Sequence, residues 1–462
     1  MRIWAFLVVT LLADVCAGQA DLRNSLLQDL SVSIGSGARA MGMGGAFIAV
    51  ADDATAASWN PAGLCVLEKP EVSVVWKPYS RVAGSSPLQV QEERVFGTVL
   101  LISSNAASTV LNGSTVDFIS GAYPVQFGKL RLVPQINYQR AIQLGLHGGS
   151  SPGIFRLLDL NSGVENISQT ISKSDVTGGI DLWSASIGFS FDPRIFLGVS
   201  VNRWTGNPKS ELTLTFERTT CSPDECSSEG SRVTKEFIEE NYDGANINIG
   251  ALVRPHRKFR IGVVYKTPFE MELFRSGTTA PFGFMEIGKI EWPSTIGAGI
   301  SIVPNDALTI SADYTRTGWS SARYVLQRIG DQFPGSIEDE TRNWPTSSDQ
   351  TNSSQKRLGA EYVFLRKYII SLRAGIFKDR QLATRAQPDG PAKETLNFLG
   401  WTLGAGITFP RISLDVAFVR ETGEFSGCDF FFVDDFGSHQ CRSFGNNQYE
   451  SSRVFVSSIF YF

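Results

Sequence analysis

Along most of the chain, apolar and polar residues alternate with a period of two. Ile195, Leu197, Val199 and Val201 alternate with Arg194, Gly198, Ser200 and Asn202. Ile296, Ala298, Ile300 and Ile302 alternate with Thr295, Gly297, Gly299 and Ser301. Such spacing puts one set on each face of a β-strand. One face is apolar and the other small and polar, which fits a wetted interior. The pattern predicts strands near 71–79, 92–104, 114–126, 129–142, 176–191, 194–208, 242–254, 258–274, 287–303, 306–318, 354–365, 368–380, 396–409, 411–422 and 449–462. Short turns at 127–129, 192–194, 255–257, 304–306, 365–367 and 410–411 alternate with long polar stretches at 143–175, 206–241, 275–287, 319–352, 381–395 and 422–447. A β-sandwich has no reason to keep that alternation, whereas bacterial outer-membrane barrels have short turns at one end and long loops at the other. A single-chain barrel of this kind needs an even strand number. One of 71–79 and 92–104 therefore lies outside the wall, leaving fourteen.

The first 68 residues follow other rules. Arg2 and the short apolar run from Ile3 to Ala13 read as a signal peptide, too short to span a bilayer. Cleavage is expected after Ala20, with Ala17 the alternative. Cys16 raises a lipoprotein signal, but Val15 before it is too bulky. Leu22, Leu26, Leu27 and Leu30 have helical spacing. Residues 34–64, IGSGARAMGMGGAFIAVADDATAASWNPAGL, are dominated by glycine and alanine. So few long apolar side chains cannot build a core, but small residues allow close backbone approach. The segment suits a compact plug inside something larger. It ends in Asn60-Pro61-Ala62, a turn signal in which Asn bonds nearby backbone and Pro fixes φ. The layout is a signal peptide at 1–20, a hatch at 21–68 and a barrel at 69–462.

From Gly35 to Leu64 the pattern G-x-G-A-R-A-x-G-x-G-G-A-F-x-A-x-A-D-D-A…W-N-P-A-G-L resembles the N-terminal hatch of FadL-type outer-membrane transporters. Asn60-Pro61-Ala62 matches the hatch motif residue for residue; over the rest of the chain the resemblance is one of layout. It implies an all-β, fourteen-stranded antiparallel transmembrane barrel plugged by a small hatch. It also implies uptake of long-chain fatty acids or other hydrophobic compounds, with an exit that is lateral through the wall.

Composition narrows the alternatives. A net charge of -4 and the lack of a basic run exclude nucleic acid as an expected partner. Charged residues are 19%, low for a soluble domain, while 31 Phe suit the aromatic girdles of a membrane barrel. The chain ends on Phe462 of an alternating strand, which looks like the signal read by barrel-assembly machinery. Cys221 with Cys226, and Cys428 with Cys441, each close a short polar loop. In an oxidising compartment both pairs are expected as disulfides. Cys65 is left over. Three histidines in separate regions offer no zinc cluster, and neither G-x-S-x-G nor H-E-x-x-H appears, so neither an enzyme nor a cofactor is expected. Gly35-Ser36-Gly37-Ala38-Arg39-Ala40 fits a dinucleotide fingerprint formally, but no βαβ unit surrounds it.

The candidate gating residues are Arg39, Asp52, Asp53, Asn60, Pro61 and Ala62. The charged three are either solvated or tied to wall charges. Phe47, and Phe282, Phe284 and Met285 in the stretch 275–287, are candidate ligand contacts; the latter three would form a greasy lip on an outer loop. Expected partners are a hydrophobic small molecule, outer-membrane lipid and the assembly machinery, with the protein a monomer. A secretion-system scaffold barrel and a general porin are the competing readings.

Overall fold

The computed structural model describes residues 35–462 except 85–90, 96–97, 105–107, 146, 151–152, 280–281, 320–322, 330–339, 344–351, 366–367, 382–395, 427–429, 434–438 and 443–445. The expected signal peptide and the helix at 21–33 lie outside these residues, as does Cys428. No helix among them is long and apolar enough to cross a membrane.

Fourteen antiparallel strands close a barrel. They are β1 (Glu71–Gly84), β2 (Ser108–Ala122), β3 (Leu130–Gln143), β4 (Gly179–Asp192), β5 (Ile195–Gly206), β6 (Cys226–His256) and β7 (Phe259–Lys266). They continue as β8 (Thr295–Asn305), β9 (Leu308–Thr317), β10 (Ser353–Leu365), β11 (Ile369–Gln381), β12 (Leu396–Thr408), β13 (Ile412–Ser426) and β14 (Asn446–Tyr461). Each pairs with the next, and β14 returns to β1 with Val72 opposite Phe460. Closure leaves no unpaired edge along the wall. Residues 71–79 thus belong to the wall. Residues 92–104 do not; they form a hairpin, Gln91–Val95 with Thr98–Ser104, beyond it.

The faces are inverted relative to a soluble protein. Outward side chains are apolar, such as Ile136 (72% exposed), Ile376 (58%) and Val201 (56%), while the inward series Ser184, Ser200, Asn202 and Asn248 is buried. An outside so rich in exposed Ile, Leu and Val is stable only in hydrocarbon, so the barrel spans a membrane. Phe191 and Trp183 bracket the apolar run on β4. On the last strand Phe460 and Phe462 are exposed and Phe455 and Ile459 buried, the two faces that the alternation predicts.

The long polar stretches differ from expectation. Much of their length is strand rather than loop. Lys209–Cys221 and Phe269–Thr279 both pair with the first half of β6, and Phe282–Trp292 pairs with Phe269–Thr279. With Glu165–Thr177, Gly153–Asp159, Arg323–Ile329 and Glu340–Asn343 they continue one side of the wall outward as a ten-stranded sheet that ends on the hairpin above. β6 alone has 31 residues, about 100 Å of strand, where crossing a bilayer takes about 11. Pro208, Pro268 and Pro293 stand where these segments leave the wall; Glu165–Thr177 and Lys209–Cys221 are rich in Thr, Ser and Glu and read as loop, whereas 269–274 and 287–292 fall within the expected strands 258–274 and 287–303, which break at Pro268 and Pro293.

Cys221 and Cys226 face each other across the tip of this sheet and are joined by a disulfide. So short a loop makes the bridge worth about 2 kcal/mol by chain entropy. The tip stands far from the barrel. We expect Cys221→Ser with Cys226→Ser to leave the heat-modifiable shift of the barrel on gels intact while protease nicking near 222–225 rises. Loss of that shift would show that the bridge supports the barrel itself.

Candidate functional site

Residues 35–67 lie inside the barrel. They form a short helix α1 (Ala38–Gly42), a second, α2 (Ala56–Trp59), and a 3-10 turn (Pro61–Val66). Nearly every side chain is buried. The segment touches the wall on all sides. The wall also supplies the hydrogen bonds that its backbone lacks. Asp313 on β9 accepts from the Phe47 and Ile48 N–H groups at 2.6 and 2.8 Å. Thr402 on β12 accepts from the Gly44 N–H and donates to the Gly42 carbonyl. Ser457 on β14 accepts from the Ala38 N–H, and Ser120 and Gln135 both donate to the Ala54 carbonyl. Inward polar residues here replace water instead of facing it, which corrects the expectation of a wetted face at this level.

The inward glycines have the same cause. A Cβ on Gly250 would stand 2.1 Å from Asn60 Oδ1, and one on Gly359 2.1 Å from the Met43 carbonyl oxygen. No side chain fits at either position, so the wall is grooved to the shape of the segment.

Asn60 is fully buried at the centre of that fit. Its Oδ1 accepts from the Ala62 N–H at 3.1 Å, the local bond expected of an Asn before a turn. Its Nδ2 donates to the Ile48 carbonyl at 3.0 Å and to the Ala251 carbonyl of β6 at 3.1 Å. Pro61 opens the 3-10 turn, where a missing N–H costs nothing. One side chain thus ties the turn to itself, to the segment and to the wall.

Arg39 holds the charged counterpart. Its guanidinium grips Glu361 of β10 in bidentate fashion at 3.0 and 2.8 Å, reaches Asp52 at 2.5 Å and lies 3.5 Å from Asp53. The network runs outward: Glu361 to Arg373, Arg373 to Asp415, and Asp52 to Arg260 on β7. Burial works against the Arg39 charge, but Asp52 and Glu361 outweigh it. Burial likewise opposes ionisation of Asp52, yet Arg39 and Arg260 hold its carboxyl below the usual range. Asp53 goes the other way: burial pushes it up despite Arg39 and the Thr55 hydroxyl. Cys65 sits under the wall beside Gly188, its thiol pushed up by burial to about 12, and is chemically inert.

Above the segment is a small recess, part of it open to solvent. Its floor is Ile48 and Trp59, its sides Val264, Lys266 and Asp313, and its outer end Trp292 and Trp319. Trp292 is 5.3 Å from Trp319 and 5.8 Å from Phe269, which stacks on Trp204 at 5.3 Å. This aromatic run sits where the strands leave the membrane. Among the described residues Lys266 makes no ion pair, while Arg357 in the same space is bound to Asp379 and the Gly44 carbonyl.

The sequence-derived ligand contacts are not at this space. Phe47 is fully buried within the inner segment, edge-on to Trp59 and beneath Arg39. Met285 lies on a strand and not on a loop, with an exposed side chain on the face opposite Glu286 and Ile290, which point inward. The side chains of Phe282 and Phe284, and the pairing of Cys428 with Cys441, lie outside the described residues. Lys266 and the tryptophans were missed, although a Trp or Phe beside two of the three strand-breaking prolines (Trp292-Pro293, Pro268-Phe269) marks the level.

No protein-family model matches the sequence, and no curated protein does. Solved structures do match its shape. The barrel with its inner segment has the fold of the FadL-type outer-membrane channels. A Pseudomonas aeruginosa FadL homologue superposes with a TM-score of 0.57 at 13% identity, over 93% of this chain and 100% of that one. The Pseudomonas putida toluene transporter TodX gives 0.51 at 12%, and the Ralstonia pickettii toluene transporter TbuX 0.50 at 14%, each over 93% of this chain and 99% of the other.

Three outcomes test the inner contacts. Arg39→Gln breaks one arm of a network whose other members keep partners, so the destabilisation should fall at or below about 3 kcal/mol. The barrel should assemble, but planar-bilayer recordings at neutral pH should show an ion leak absent from the wild type. The Asp52 pair contributes fully above the ordinary carboxylate range and is lost as pH falls through the lowered pKa that Asp52 has in the folded protein, beneath that range. Wild-type conductance should therefore rise only below about pH 4. In addition, Asn60→Ala with Pro61→Ala should permit assembly and either leak ions or abolish solute uptake. Normal behaviour of that assembled variant would reduce the turn to a passive linker.

Proposed function

We propose that the protein takes up hydrophobic molecules across the outer membrane, with long-chain fatty acids the best fit. Residues 21–68 act as the hatch of a barrel formed by 69–462, and no covalent chemistry is involved. The observation that carries this reading is the aromatic-roofed space over the inner segment, with Lys266 as its uncommitted cation. An acyl chain gains about 25 cal/mol per Å² buried against Trp59, Val264, Trp292 and Trp319. Lys266 would hold a carboxylate head, a strong bond because both groups are charged. A solute collected at the outer sheet would pass the aromatic run, rest in this space and leave when the hatch shifts. TodX and TbuX are toluene transporters, which supports the apolar half of this preference.

The lumen below the space is filled by the inner segment, which speaks against a general porin. Nothing in the geometry favours a scaffold role. A pairing narrower than its neighbours marks the exit to test: β2 and β3 pair only over 118–122 with 135–139. Equilibrium binding decides the ligand. Lys266→Gln should weaken binding of a fatty carboxylate by about 10- to 100-fold, the worth of one charged hydrogen bond, and leave the methyl ester unchanged. Equal loss for both ligands, or for neither, would remove Lys266 from the site.

A further inference from the structure

The outward rim of the wall is ringed by charges, and they are not all treated alike. Arg140 pairs with Asp181 at 2.5 Å, Arg203 with Asp243, and Arg420 with Glu450 and Ser452. On the side of β9, β10 and β11 the ring changes character. Arg316, Lys356 and Lys378 are all exposed on the outward face, and among the described residues none has an acidic partner. The nearest carboxylates on these strands, Asp313, Glu361 and Asp379, point into the lumen and are spent there.

The register makes this arrangement costly by itself. Lys356 stands directly opposite Lys378, with Cβ atoms about 5 Å apart. Tyr314 stands opposite Lys356 on the other side, so Arg316, two residues further out, is its diagonal neighbour. Like charges facing across strands destabilise a sheet unless an anion lies between them. Immediately below, Leu358 and Ile376 face each other, 46% and 58% exposed, as the top of the apolar belt.

We propose that Arg316, Lys356 and Lys378 form a binding site for the phosphorylated headgroup of a lipid in the outward leaflet. The anion bridges the three cations, and the acyl chains lie down the belt over Leu358, Ile376 and Leu372. A soluble phosphate would use the cations but not the belt, so the site is a lipid site. The inference rests on the barrel spanning the membrane, and not on which solute it carries.

The test is native mass spectrometry of the full-length protein from detergent micelles, titrated with bisphosphorylated lipid A. Dephosphorylated lipid A and inorganic phosphate are the comparison probes. The variant is Arg316→Gln with Lys356→Gln and Lys378→Gln. The control removes three ion-paired cations of the outer sheet, Lys209→Gln with Lys235→Gln and Lys289→Gln. Wild type and control should retain the phosphorylated lipid alike, and the rim variant should bind it more weakly by about fivefold for each cation removed. Dephosphorylated lipid should bind all three proteins equally. Equal retention by rim variant and wild type would overturn the proposal, as would inorganic phosphate competing at the concentration where the lipid binds. A wild type without a heat-modifiable shift would instead show that the membrane reading had failed. If the triple variant does not assemble, Lys356→Gln and Lys378→Gln made singly should each show the fivefold step; no change in either overturns the site.

Discussion

The inner segment has no core of its own, and its backbone depends on hydrogen bonds made by the wall. A buried N–H or carbonyl without a partner costs several times what a formed bond contributes. A segment of 33 residues rich in glycine and alanine cannot meet that need alone. Asp313, Thr402, Ser457, Ser120, Gln135 and Arg357 meet it from seven different directions around the lumen, if Asn60 reaching the Ala251 carbonyl is included. The same dependence explains the grooved glycines and the Arg39 network. It also makes the segment responsive, because each tie can be lost without loss of the barrel.

Outside the membrane the wall obeys a different constraint. Lipid no longer demands an apolar face, so the outer strands carry Lys–Glu ladders such as Lys235 with Glu211 and Lys289 with Glu270. These exposed pairs add little stability, about 0–1 kcal/mol each, and serve mainly to keep the extension soluble. Between the two regimes lies a belt of prolines and large aromatics. It lines the outer end of the space whose floor is Trp59 and Ile48.

Much of this was legible in the sequence. Alternation located the wall strands because one face of each is fixed by lipid. Short turns located one end because nothing else fits between paired strands. The plug was legible because glycine and alanine rule out an independent core, and Asn60 makes the local bond that its position before Pro61 demands. The outer sheet was only partly legible: Met271, Leu273 and Ile290 mark an inner apolar face, but among the Thr, Ser and Glu of 165–177 and 209–221 that face is faint. Lys266 was hidden because its meaning lies in what is missing around it, and a linear sequence does not show absent partners. Arg39 could be marked as charged and odd, but Glu361 lies 322 residues away.

The ties of the inner segment also set an order in time. Ala38 bonds Ser457, and Arg39 bonds Glu361, so the first of the described residues need strands much later in the chain. Loops closed over such separations form late, because their entropy must be lost before any contact compensates for it. The segment that emerges first therefore folds last. Until β14 meets β1 it must be kept extended and soluble, and a sequence poor in large apolar residues suits that wait as well as it suits the final fit.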